Sequence, residues 1–412
     1  MNVFVPADIL LPKKEYLNLW PVVACDQFTS DPAYWQRVAR RTEGVPSTMH
    51  LILPEAELGT PGEEGAIGTI HETMERYLAE GILDSYPGAY VYVERTLANG
   101  MIRPGLVGAV DLERYDYSYG SVSPIRATEK TVLERIPPRQ KVRRCAALEL
   151  PHVIMLCDDD GKTLIEPIRR IRDTLPRLYD LELMEDGGHI TGWLLQGQPA
   201  AEFDRRLQAY TQTLEGKYPD LSGAKVLLAV GDGNHSLATA KSCYEELKWD
   251  HPDQDFSNHP ARYALVELEN IHDPSLTFEP IHRVVLNTDP QALLSDLETI
   301  CEPGGYPVAW IAGNRRGTLS LKRSLGELAV AVLQNFLDEW LKSHPGTIDY
   351  IHGEAEAAEL AARDGAVALL LPPMEKGQLF RGVIAGGILP RKTFSMGHAR
   401  EKRYYLEGRK IK

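Results

Sequence analysis

Apolar residues recur along this chain with two different periods, and the order of the two predicts the architecture. A period near 3.6 predicts amphipathic helices over Glu64 to Glu80 and about Ala201 to Glu215, and Leu237, Ala240, Tyr244 and Leu247 give a third helical stripe. Leu325, Leu328, Val332, Phe336 and Trp340 make a fourth, whose apolar face reads as core. Strands are expected where β-rich runs meet turn residues. Tyr90 to Val93 and Leu106 to Leu112 flank the hairpin signal Asn99-Gly100. Asp158-Asp159-Asp160-Gly161 separates Val153 to Leu156 from Thr163 to Ile165, and Glu185-Asp186-Gly187-Gly188 separates Leu181 to Leu183 from Ile190 to Leu195, which predicts two further hairpins.

Hairpins mixed with single strand-to-helix steps predict an α+β fold of mixed sheets and packed helices rather than a doubly wound parallel sheet. The chain has no internal repeat of the kind that builds a solenoid or propeller. A division into lobes at 1–125, 126–300 and 301–412 fits the pattern, as does one continuous domain. Pro303-Gly304-Gly305-Tyr306-Pro307 reads either as a lobe boundary or as an ordinary turn.

The densest concentration of chemistry lies between the apolar strand Val226 to Val230 and the helix that follows it. Gly231-Asp232-Gly233-Asn234-His235-Ser236 is placed at a strand's C-terminal end and a helix's N-terminus, where the first N–H groups lack intrahelical partners and favour an anion. Gly231 and Gly233 allow close backbone approach. Asp232 is a candidate Mg²⁺ ligand or general base, and His235 a candidate proton carrier near neutral pH. The competing reading makes Asn234 or Ser236 a simple helix cap. The turn lacks the G-K-[ST] ending of a phosphate loop, the third glycine of a dinucleotide fingerprint and the serine elbow of a hydrolase.

Composition narrows the partners. Among 412 residues the net charge is −13, which disfavours nucleic acid and anionic membrane but leaves room for one small phosphorylated ligand held by a few converging cations. The five cysteines, Cys25, Cys145, Cys157, Cys243 and Cys301, have no C-x-x-C spacing. The opening Met1 to Asp8 does not read as a signal peptide, and no apolar run approaches the roughly 20 residues that span a bilayer. A reducing cytoplasm is the expected location.

Several ordered motifs make the chain similar to the family called domain of unknown function 1015. They are Val5-Pro6-Ala7-Asp8-Ile9-Leu10, Val22 to Ser30 with Cys25-Asp26-Gln27 inside it, Pro46 to Pro54, Arg126-Ala127-Thr128-Glu129-Lys130-Thr131, the Asp232 turn, Pro280-Ile281-His282-Arg283, and Leu389-Pro390-Arg391-Lys392-Thr393. Many members carry Asp-Gly-His-His-Arg at the turn, a motif similar to one in the ParB and sulfiredoxin-like superfamily. Free-serine kinases of that superfamily place the loop around nucleotide phosphates. The resemblance therefore implies a ParB/sulfiredoxin-like core with added lobes and small-molecule phosphate chemistry near serine metabolism. In this chain Asn234 replaces the first histidine, His235 keeps the second, and Ser236 replaces the arginine, so a bidentate cationic clamp is lost.

Cations must then come from elsewhere in the chain. Arg126 and Lys130, four apart, would share a helix face and bind one phosphate, with Glu129 as a general base or metal ligand; a solvated helix start is the alternative. His282 and Arg283 read as a strand edge facing opposite ways, with Arg283 an anion clamp or a structural ion pair. Lys392 is a further candidate. Asp26 is a possible substrate contact, whereas Cys25 reads as packing. His152, His189 and His352 lack metal-ligand spacing.

The expected function is phosphoryl transfer or phosphoester hydrolysis on a small polar metabolite, with serine or phosphoserine the specific case, and with Mg²⁺ and a nucleotide as candidate cofactors. Asp232, His235 and Glu129 would carry the chemistry. Gly231, Gly233, Asn234, Ser236, Arg126, Lys130, Arg283 and Lys392 would hold phosphate. The alternative is a noncatalytic sensor of a small anion or nucleotide, and a DNA-binding partner is the third reading.

Overall fold

The computed structural model describes residues 3–221 and 225–412, so Met1 and Asn2 of the opening lie outside the described residues. Its centre is an eleven-stranded mixed sheet. Along the main path the strands are ordered Arg177–Glu182, His189–Leu195, Leu83–Thr96, Ile102–Asp111, Tyr263–Asn270, Ile154–Cys157, Leu228–Asp232, Ile125–Arg126 and Tyr115–Asp116. Alternation along the central strands separates two cores. Val91, Val93, Val107, Ala109 and Leu265 face one side, and Tyr90, Tyr92, Leu106, Val110, Val266 and Leu268 face the other. The helices predicted at the sequence level pack on these faces. Glu63–Ala79 buries Ile67, Ile70, Met74 and Tyr77, and Gln198–Thr213 buries Phe203, Leu207 and Tyr210.

A six-stranded sheet, Arg315–Leu321, Cys301–Ala312, Val367–Leu370, Phe278–Leu286 and Thr347–His352 with Phe394–Met396 added to Phe278–Leu286, lies over a third core. Residues 303–305 sit inside the strand Cys301–Ala312, where the register shifts between Cys301 and Tyr306. Among the described residues no helix is long and apolar enough to cross a membrane.

The mixed α+β class holds, as do the hairpins around Asn99-Gly100 and Glu185 to Gly188. Four local expectations are corrected. Thr163 to Ile165 form no return strand, because the Asp159 carboxylate accepts from the Thr163 and Leu164 N–H groups at 2.6 and 2.7 Å and curls the chain into the short helix Glu166–Arg169. Leu325 is exposed, since the helix of that stripe begins only at Ala329. Arg126 lies in a strand and residues 127–132 follow it as a loop, so buried Arg126 and exposed Lys130 share no helix face. The strand carrying His282 and Arg283 is no edge: it pairs on both sides and buries both residues.

One end of the central sheet is polar where the rest is apolar. On the face that carries Val93 and Leu265, the next positions are Arg95, Glu267 and Glu269, joined by Arg103, all buried. Gly105 leaves the space that the Glu267 side chain fills, since a Cβ there would meet its Oε1 at 2.1 Å. The C-terminal segment covers this end. Arg403 pairs with Glu267 at 2.7 Å and with Glu407, Tyr404–Tyr405 pairs with Val22–Val23, and Arg409–Lys410 pairs with Leu148–Glu149. Unpaired, these charges would be costly to bury, so the partners fix where the segment lies.

Candidate functional site

The strand Leu228–Asp232 ends at the polar edge of the sheet, and Gly233 turns the chain directly into the helix Asn234–Asp250. Gly233 has φ 83°, the left-handed region, and a Cβ on it would meet the Val153 backbone at 3.1 Å, so both conformation and space require glycine. Gly231 is a packing position, its missing Cβ facing Leu156 and Met396 at 2.9 Å. The side chains beyond the turn fasten it to the 127–132 loop and to His152. Asn234 Oδ1 accepts from the Thr128 N–H at 3.3 Å, His235 Nε2 accepts from the Val132 N–H at 3.2 Å, and Ser236 Oγ lies 2.7 Å from His152 Nε2.

That fastening brings Glu129 to the turn. Its backbone bridges to Leu389, and the Lys392 and Thr393 N–H groups donate to its half-buried carboxylate. Burial pushes the Glu129 carboxyl above the ordinary carboxylate range; the charge of Lys392 pulls it down and that of Asp232 pushes it further up. Asp232 is held by Lys402, Nζ to Oδ2 at 3.3 Å. Asp26 completes the group. Burial raises its carboxyl too, but His152, the Gln27 amide at 3.0 Å and Lys402 outweigh burial and leave it below the usual range.

Arg283 acts one step behind. Fully buried, its guanidinium donates to Gln334 Oε1 at 3.0 Å, to the Lys392 carbonyl at 2.9 Å and to the Arg391 carbonyl at 3.0 Å, which pins the loop that presents Lys392 and holds Glu129. Lys392 itself sits at φ 55°, a left-handed conformation unusual for a side-chain-bearing residue. Across this wall, burial and the charges of Lys392 and Lys402 hold His352 below the ordinary imidazole range.

The structure therefore gathers Asp232, Glu129, Lys392 and Asp26, with Asn234, His235 and Ser236 as ties. Three other expected phosphate ligands are placed differently: Arg126 is buried with Nε on the Ser123 carbonyl at 2.9 Å, Lys130 points to solvent, and Arg283 spends its donors on the loop. Burial and the neighbouring Arg139 and Arg135 push His235 down to about 4, so its ring is neutral at pH 7. Burial raises the Cys25 thiol to about 12, far from a thiolate.

Lys402, His152 and Tyr405 complete the arrangement and were not among the residues expected from sequence. The Cys25 N–H donates to the Tyr405 hydroxyl at 3.1 Å, and that hydroxyl lies 2.9 Å from His152 Nδ1. If Nδ1 accepts the phenol proton, Nε2 carries the ring's hydrogen and donates to Ser236 Oγ. Among the described residues no cluster of three or more His, Cys, Asp or Glu side chains is arranged to hold a metal ion.

Residues 5–383 match the family described as protein of unknown function, DUF1015. The chain belongs to the DUF1015 family. Lys392, Lys402 and Tyr405 thus lie beyond the matched stretch, although they line the same site as the turn within it. No curated protein matches the chain. Among solved structures it is similar to C-terminally truncated SbnI from Staphylococcus aureus, with 10% identity over 71% of this chain and 83% of that one at a TM-score of 0.36. It is also similar to a conserved hypothetical protein from Pyrococcus furiosus, with 10% identity over 72% and 90% at 0.33, and to a free serine kinase mutant in complex with ADP, with 9% identity over 74% and 91% at 0.36. At these scores the likenesses decide neither chemistry nor residue roles for this DUF1015 member.

Proposed function

We propose that this protein is a phosphotransferase or phosphoester hydrolase acting on a small metabolite, with serine and phosphoserine the first substrates to test. The observation that carries the reading is the Glu129 carboxyl: half-buried, raised in pKa, and set beside Asp232 between Lys392 and the turn. A carboxyl tuned toward neutrality can take a proton from an attacking hydroxyl or return one to a leaving group. Lys392 and Lys402, with the N–H groups at the start of the helix Asn234–Asp250, would balance charge on a transferring phosphoryl group. Asp26 would orient the substrate's polar end. His235 in this reading positions the 128–132 loop and moves no proton.

Lys402 already engages Asp232, so the donor set fits Mg²⁺ only as an ion brought in on phosphate oxygens, with Asp232 and Glu129 as its protein partners. Kinship of the turn with the ParB and sulfiredoxin-like core belongs to the same proposal, supported by the strand, left-handed glycine and helix in sequence. The five free cysteines fit a reducing cytoplasm.

Turnover decides the matter. Phosphate release or transfer would be measured with phosphorylated amino acids and nucleotides, with and without Mg²⁺, on the wild type and on Asp232→Asn and Glu129→Gln. Activity that both substitutions abolish in folded protein supports the reading. Ligand-dependent thermal stabilisation without turnover would replace it by a noncatalytic sensor of the same ligand.

A further inference from the structure

Behind the polar site lies a cavity of a different character. It has a volume of about 160 Å³ and opens between the segment around Leu51 to Leu58, the helix Ile136–Arg144 and the helix Asn234–Asp250. Its walls are largely aliphatic, and Cys25, Leu58, Val142 and Leu150 remain only partly buried although they pack on the main core. Glu55 and Arg139 join two of the walls through an ion pair at 2.8 Å.

Besides the charged Glu55, Arg139, Arg143 and Glu149, one end of the cavity carries the polar pair already described. Ser236 and His152 both line it, as does Tyr405. In the tautomer that protonates His152 Nε2, the ring donates to Ser236 Oγ across 2.7 Å and the serine's own proton is left to point at another acceptor. A hydroxyl or carbonyl entering from the site would meet that proton. Cys25 lines the cavity and Asp26, the next residue, belongs to the carboxylate and lysine group, so the two compartments adjoin at this point of the chain as well as at Ser236.

We propose that this cavity receives the apolar part of the substrate, an aliphatic or aromatic group whose neighbouring oxygen is recognised by Ser236 and His152. A dry cavity near 150 Å³ accepts a benzene-sized guest, which sets the group at about six to eight non-hydrogen atoms. Serine or phosphoserine would leave it unfilled. An apolar-tailed alcohol, hydroxy acid or amino acid, or its phosphate ester, would use both compartments. The substrate class rests on the phosphoryl-transfer reading; the cavity as a binding site does not.

The test uses 4-fluorophenol and fluorobenzene as probes, followed by fluorine NMR on the full chain. Saturable broadening of 4-fluorophenol is expected, with fluorobenzene at least tenfold weaker. Ser236→Ala should remove the difference between the probes, and Val142→Phe, which grows a ring into the cavity, should weaken 4-fluorophenol at least tenfold. Should Val142→Phe fail to fold, Leu58→Phe on the opposite wall serves instead. Absence of saturable binding to the wild type, or binding that both filling substitutions leave intact, overturns the proposal. Nucleotide binding with Mg²⁺ is read separately on the same wild-type sample. Its loss alone would count against phosphoryl transfer and leave the cavity standing.

Discussion

Two regions build the candidate site by opposite means. The turn from Gly231 to Ser236 is local: a strand, a left-handed glycine and a helix start are encoded in six consecutive residues. The segment from Leu389 to Arg409 carries no comparable local pattern, and it is shaped by what it touches elsewhere. Arg283 holds its loop, Thr128 and Glu129 bridge to it, and buried glutamates receive Arg403 and Arg409. The turn supplies carboxylate and backbone N–H groups, and the segment supplies the lysines. The proposed anion site needs both.

Breaking the segment's anchor should have the largest effect. Arg403 is almost wholly buried between Glu267 and Glu407. Arg403→Ala leaves two buried carboxylates without their partner, and a loss of about 3–5 kcal/mol is expected. Urea unfolding measures it. A loss below about 1 kcal/mol would show that other contacts fix the segment, and the contrast between a local turn and an anchored segment would weaken.

The turn should break next. At Gly233 a left-handed backbone costs a side-chain-bearing residue about 1–2 kcal/mol, and the Val153 contact at 3.1 Å adds to it. Gly233→Ala is therefore expected to cost more than Gly→Ala at Gly100, which has a similar φ of 79° but open space around a Cβ. Equal losses would mean that backbone conformation alone, rather than the approach of the two segments, selects glycine.

How far the sequence could be read follows the same division. Period and turn chemistry placed the hairpins, most helices and the strand before Asp232, because each depends on neighbours within a few residues. Asp159 defeated a hairpin expectation because its side chain captured two backbone N–H groups. Arg126 and Arg283 looked like phosphate ligands from charge alone; burial turned them into structural donors. Lys402 had no local signal at all, since its role is set by Asp232 at a separation of 170 positions in the chain. His152 was visible only as a histidine without metal spacing, and its meaning came from Ser236 and Tyr405.

Titration distinguishes the two groups that the turn positions. Glu129 is raised in the folded chain, so the native state favours its protonated form; that contribution is present below the ordinary glutamate value and is lost as pH rises through the folded value. His235 is depressed from 6.5 to about 4, so its contribution is present above 6.5 and is lost as pH falls through 4. Unfolding midpoints across roughly pH 4 to 8 should show both. Glu129→Gln is expected to remove a contribution that falls as pH rises, and His235→Asn one that rises with pH over the same range. A profile that neither substitution changes would remove both assignments.

The smallest effect is the most specific. Lys402 and Lys130 carry the same charge on segments that contact the turn, but one is buried on Asp232 and the other faces solvent. If proximity of positive charge were enough, Lys130→Ala and Lys402→Ala would weaken ADP binding alike, and both losses would fade with salt. If the site is the composite described above, Lys402→Ala removes a charge-assisted contact and weakens binding about tenfold or more, whereas Lys130→Ala stays within about twofold. Calorimetry at two salt concentrations separates these cases. A tenfold loss from Lys130→Ala would move the anion site out to the 127–132 loop and leave the C-terminal segment with a purely structural role.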